Sequence, residues 1–144
     1  MQNERALARI RARVMALAEA IGAPAKCLPT FGSSEDFARP HIEAIGECVY
    51  FVVVERGEEL VRESYLDDHA LLEQVFNSVT FEMACDFELR NRRANEDARR
   101  QLFAKKLELL GALDPQWAAR ERCRLLEILS RHPFSDGLEP RDVT

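Results

Sequence analysis

The stretch HIEAIGECVYFVVVERGEELVRESY, residues 41 to 65, decides the fold. Its period is two, whereas the segments on either side repeat every three or four residues. HIEAI reads as a short strand, and Gly46-Glu47 as a turn. CVYFVVVE reads as a second strand, apolar on both faces. Arg56-Gly57 is the next turn, with Gly57 supplying the positive φ that a tight hairpin needs, and EELVRESY is the third strand. A strand apolar on both sides belongs in the middle of a sheet. The stretch therefore predicts a three-stranded antiparallel meander, each face of which something must cover.

Working outward, Leu7, Ile10, Val14, Leu17 and Ile21 form one stripe of an N-terminal helix, with Asn3 as its expected cap and Gly22 and Pro24 as its stop. Residues 24 to 40 are rich in Pro, Gly and Ser, show no alternation and read as loop. After the capping pair Asp67-Asp68, a long helix runs to about Arg90. Its main stripe is Leu72, Val75, Phe76, Val79, Met83 and Phe87; a second is Phe81, Cys85 and Leu89. Asn95 is the expected cap of the next helix, whose apolar face is Leu102, Phe103, Leu107, Leu109 and Leu110 and which Gly111 ends. Asp114-Pro115 opens a last helix, stopped by Pro133. The fold class is α+β: an N-terminal helix, a three-stranded antiparallel meander, then three helices packed on the sheet. Residues 1–136 are expected to form a single domain. The polar residues from 135 on are expected to fray, leaving 137–144 as a flexible tail.

A chain of 144 residues, 47% hydrophobic and 31% charged, suits one soluble domain that buries its own core. No apolar run approaches the roughly 18 residues that span a bilayer. The first residues interleave charge with apolar side chains, unlike a secretory signal. The expected location is the cytoplasm. Cys27, Cys48, Cys85 and Cys123 form no CxxC pair and match no zinc spacing, which points to reduced thiols. The last three lie in apolar segments and are expected to be mostly buried.

The net charge of −5 is uneven: residues 35 to 68 hold ten acids and three arginines, a local −7, leaving about +2 elsewhere. Such asymmetry can steer a charged partner. Glu55, Glu58, Glu59 and Glu63 could supply a carboxylate pair for catalysis. They flank a tight turn, however, and wet carboxylates keep ordinary acidity and make poor general acids. A solvated hairpin tip or a docking surface suits them better. His41, His69 and His132 lie near element ends, no two on one helical face, so no metal set is announced. A Cys-His pair stays open, because such pairing is made in space. Gly32-Ser33-Ser34 lacks the lysine and spacing of a phosphate loop, no GxGxxG follows a strand, and no cofactor is implied.

Arg90, Arg92, Arg93, Arg99, Arg100, Lys105 and Lys106 form a basic stretch, but Glu96 and Asp97 interrupt it and no aromatics interleave on its outer face. With a pI near 5.3, nucleic acid is not the expected partner. These cations are expected to pair internally with the acidic hairpin, and the stems of Lys105 and Lys106 to cover their helix's flank. Trp117, the only tryptophan, closes over a core or anchors an interface.

Taken in order, IGAP (21–24), LPTFGSSEDFARPHIE (28–43), YFVVVERGEEL (50–60), VFNSVTFEMACDFELRNR (75–92), RRQLFAKKLELLG (99–111) with Trp117 soon after, and ILSRHPFSD (128–136) give the chain its likeness. Over roughly residues 10 to 136 it resembles the immunity protein 63 family of bacterial polymorphic toxin systems. The resemblance implies a small cytosolic protein, made beside a secreted toxin, that binds and blocks that toxin without catalysis. It carries over no functional residue.

The expectation is thus a toxin-neutralising protein, monomer or homodimer, whose partner is a cognate toxin rather than nucleic acid or membrane. Its acidic surface of Glu55, Glu58, Glu59, Glu63, Asp67 and Asp68 would block a basic toxin site. Two alternatives stand beside it. One is a small hydrolase or transferase using carboxylates or a Cys-His pair; the other is a toxin-independent dimeric interaction subunit.

Overall fold

A computed structural model describes residues 2–33, 39–46, 48–65 and 67–137. The chain divides into two compact units, Met1–Val79 and Thr80–Thr144.

The first unit opens with α1 (Gln2–Ile21). Ala6, Ile10, Val14 and Ala18 are buried at steps of four, while Leu7, Leu17 and Ile21 are half-buried. Asn3 does not cap the helix as expected. It lies inside α1, and its Oδ1 instead accepts the Gly46 N–H at 2.8 Å. At the other end Gly22, with φ 65°, lets the Ala23 N–H reach the Ala18 carbonyl and its own N–H reach Glu19, the two bonds of a Schellman stop.

The sheet is four-stranded and mixed, which corrects the expected three-stranded antiparallel meander. Its order is β1 (Thr30–Phe31), β2 (His41–Ile45), β3 (Cys48–Glu55) and β4 (Glu58–Tyr65). The last three are the expected meander, with β3 between β2 and β4. The addition is β1, which pairs parallel to β2, Thr30 beside His41 and Phe31 beside Ile42. Two residues are too few for alternation to show in a sequence. What holds them is long-range: Thr30 donates to the Pro40 carbonyl at 3.0 Å and Gly32 to Ile42 at 2.7 Å. Arg39 steadies the approach by donating to the carbonyls of Leu28 and Ala25.

At the β3–β4 turn Arg56 has φ 53° and Gly57 φ 77°, the paired positive values of a type I′ turn. The register then slips between Val53 and Val54, since Val53 faces Val61 but Val54 faces Glu59. Leu60 is the extra residue of this bulge and stands 54% exposed. Val49 and Phe51 are buried on one face of β3 and Val52 on the other, so both faces are covered there, as the all-apolar strand required. The unit closes with the first half of α2 (Asp68–Arg90), where Leu71, Leu72, Val75, Phe76 and Val79 are buried. Asp67 Oδ1 accepts the Ala70 N–H at 3.1 Å and caps that helix.

The second unit holds the rest of α2 with α3 (Ala98–Leu113) and α4 (Pro115–Arg131). The cap of α3 is Asp97, not Asn95: its side chain accepts the Arg99 N–H, while Asn95 takes φ 62° and its carbonyl accepts the Gly137 N–H. The helix continues past Gly111, and Asp114 ends it and caps α4. Ala84, Leu109, Leu110, Trp117 and Leu125 are this unit's buried apolar residues, the indole only 2% exposed. Lys106 does more than cover a flank. It is 4% exposed, and its Nζ lies 2.6 Å from Glu121, also 4% exposed. The second stripe expected on α2 is not buried, since Phe81 and Leu89 are exposed. Residues 135–137, expected to fray, are held: Ser135 N–H donates to Asp97, Asp136 binds Arg100, and Gly137 binds Asn95. Residues 138–144 of the expected tail lie outside the described residues.

Candidate functional site

The expected acidic surface takes its form from the β3–β4 register. Because side chains alternate along a strand, the bulge at Leu60 decides which glutamates share a face. Glu63 pairs with Phe51 and Glu58 with Glu55, so these carboxylates lie on the face that carries Val49 and Phe51. Glu59 pairs with Val54 and stands on the opposite face with Val52 and Tyr50. The six acids grouped by sequence are therefore not one cluster.

Each has its own surroundings. Glu55 and Glu58 sit at the exposed tip and make no ion pair among the described residues. Glu59 takes two bonds from Arg62, at 2.8 and 2.6 Å, which hold its carboxyl below the usual range. Glu63 accepts the Tyr65 hydroxyl at 2.8 Å; burial and that neighbouring carboxylate together push the phenol up. Asp67 is occupied as the cap of α2. Asp68 receives Arg9 at 2.7 Å, and the guanidinium bond keeps its carboxyl low. The carboxylates left uncommitted are thus the tip pair.

On the other face is a network the sequence reading missed. His41 stands opposite Val52, which in turn stands opposite Arg62, so imidazole and guanidinium flank one buried valine. His41 is 3% exposed, and its Nε2 lies 2.7 Å from Glu43 Oε2. Arg62 reaches the same carboxylate at 3.1 Å and lies over the Tyr50 ring at 5.4 Å. Burial pushes the Glu43 carboxyl up, but the bonds from His41 and Arg62 outweigh it, and the group sits below the usual range. Pairing HIEAI with CVYFVVVE and EELVRESY about their two turns brings His41, Glu43 and Arg62 together on paper. That signal was available. The network fixes Arg62 and so sets the direction of Glu59; His41 Nδ1 is buried and has no hydrogen-bond partner among the described residues.

The basic stretch does not serve the hairpin as expected. Arg92 binds Glu88, Arg93 Glu96, Arg99 Asp97, Lys105 Glu108 and Lys106 Glu121, each partner close in sequence or on the next helix, and Arg100 binds Asp136 in the segment after α4. A shallow groove of about 320 Å³ lies beside Phe87, Gln101 and Ala104, and its rim cations Arg100 and Lys105 are already paired. All four cysteines are free. Cys27 is buried, Cys48 and Cys85 are half-buried, and Cys123, expected inside, is exposed. Among the described residues no three His, Cys, Asp or Glu side chains converge as metal ligands, and no helix is long and apolar enough to cross a membrane.

Compared with known families, the chain matches the model described as Immunity protein 63 over residues 46–127, from the turn before β3 into α4. That range spans more than half the chain and includes the whole β3–β4 hairpin. No curated protein and no solved structure matches it.

Proposed function

Since the chain belongs to the immunity protein 63 family, we propose that it binds and neutralises a cognate secreted bacterial toxin, acting in the cytoplasm of its producer and without catalysis. The family match carries this reading. We further propose that the docking surface is the acidic β3–β4 hairpin, laid against a basic site of the toxin. What supports that choice is the tip pair Glu55 and Glu58, exposed and without an ion-pair partner among the described residues. Their neighbours Glu59 and Glu63 are already bound internally and would add field rather than new contacts. Charge of this kind speeds encounter and fixes orientation, while affinity comes from a few desolvated anchors.

The test is association kinetics with the toxin domain encoded beside this chain. E55K/E58K should slow association by about tenfold at low salt and flatten its salt dependence. Dissociation should change less. An on-rate that matches the unsubstituted protein at low salt rejects the acidic surface. Loss of growth protection against that toxin in cells expressing the variant would agree with it.

A further inference from the structure

Resting on the toxin-binding reading above, we propose that the open edge of β4 pairs with an extended basic segment of the toxin, which adds a fifth strand to the sheet. Among the described residues β4 is the last strand in the sheet order, with one of its edges paired. In an antiparallel strand alternate residues turn their N–H and C=O groups to opposite edges, which leaves half of the main-chain groups of β4 facing outward. Such an edge is a template for another strand. Six of its eight residues are exposed, and the strand is as long as β3, its inner neighbour. The opposite end of the sheet differs, for there β1 caps β2.

Two features say what the edge takes. The first is Leu60, the bulge residue, a large apolar side chain 54% exposed with no partner of its own on β3. An added strand would give it a neighbour to pack against. The second is charge. Glu58, Glu59 and Glu63 lie along β4 and Glu55 beside its start, against Arg62, which Glu43 and Glu59 already hold, and the turn residue Arg56. Backbone bonds would then supply affinity, and the carboxylates would select lysines or arginines in the incoming strand. A second copy of this chain fits less well, because β4 holds three glutamates and one arginine, so two such strands meet with the same sign of net charge. The bulge and the charges also keep the edge from pairing indiscriminately.

Amide hydrogen exchange tests the proposal, using the full chain alone and saturated with the toxin domain encoded beside it. The expected result is slowed exchange at alternate β4 amides, those not already protected by β3. A companion variant, Leu60→Lys, places a cation on the edge at an exposed position. It should leave the thermal midpoint unchanged and weaken binding by about tenfold, or 1.4 kcal/mol. Binding with β4 amides exchanging at the free rate overturns the strand pairing and leaves the toxin reading intact, as does full-strength binding by the folded Leu60→Lys protein. Absence of any binding overturns the toxin reading and the pairing with it. Protection of β4 in the chain alone that grows with its concentration identifies a second copy as the occupant and overturns the basic-partner assignment.

Discussion

Glu121→Leu should destabilise the protein far more than Lys106→Met, although the two side chains are partners in one ion pair. They are equally buried, at 4% exposure each and 2.6 Å apart. What differs is what each leaves behind. Without Lys106, Glu121 keeps Arg124, which reaches both its oxygens at 2.7 Å from a half-exposed position. Without Glu121, the Lys106 ammonium is buried with no other ion-pair partner among the described residues, its ring contact being Phe81 at 5.7 Å. Stranding one charge of a buried pair costs about 3–5 kcal/mol. A cation–π contact at that range offsets roughly 0.5–1 kcal/mol, so Glu121→Leu should lose about 3 kcal/mol and Lys106→Met about 1 kcal/mol. The double variant removes both charges and should fall within about 1 kcal/mol of the unsubstituted protein, because apolar replacement of a buried pair is often neutral. The assay is urea unfolding followed by the fluorescence of Trp117, buried one turn before Glu121 on α4. At a slope near 2 kcal/mol per molar, the Glu121→Leu midpoint should drop by roughly 1.5 M. Equal losses in the two single variants, or a double variant as unstable as their sum, would refute the argument.

Three further outcomes follow from other parts of the structure. Gly57→Ala should cost about 1–2 kcal/mol in thermal unfolding, since φ 77° is strained for a side chain even where a Cβ meets nothing within 4 Å; Gly57→Asn should cost less, and an alanine variant as stable as the original would argue against the type I′ turn. Asp97 is held well below the usual carboxyl range by the Arg99 guanidinium and by the Ser135 and Arg99 amides. Its folded pKa is depressed, so its stabilisation is complete above the unfolded value near pH 4 and fades as the pH falls toward the folded one. D97N should therefore be less stable in urea at pH 7 and converge on the original below pH 4; a gap independent of pH would contradict this. Finally, α2 is continuous across the boundary at Val79. Unfolding seen by Trp117 fluorescence, which reports Thr80–Thr144, should coincide with that seen by far-UV circular dichroism, and two separated transitions would show that the units melt independently.

The sequence alone determined every element that makes its own case locally. A period of two across residues 41–65, with Gly57 in the turn, gave the meander and the central place of β3. Stripes at three and four gave the helices, and Asp67 and Asp114 gave two of their starts. These signals are short-range: an alternation, a stripe or a cap is complete within a few neighbouring residues. Tertiary structure decided what depends on distant partners. Thr30 and Phe31 are a strand only because Ile42 and Pro40 offer carbonyls to the residues about them. Lys106 is a core residue only because α4 brings Glu121 to it. The six acids were countable from the start, but one extra residue at Leu60 settles which face each glutamate takes. Arg9, Arg62 and Tyr65 then occupy three of those acids, and Asp67 is occupied by its cap. Charge can be summed along a chain, but whether a carboxylate is free to meet a partner depends on which donors the fold carries to within hydrogen-bonding distance.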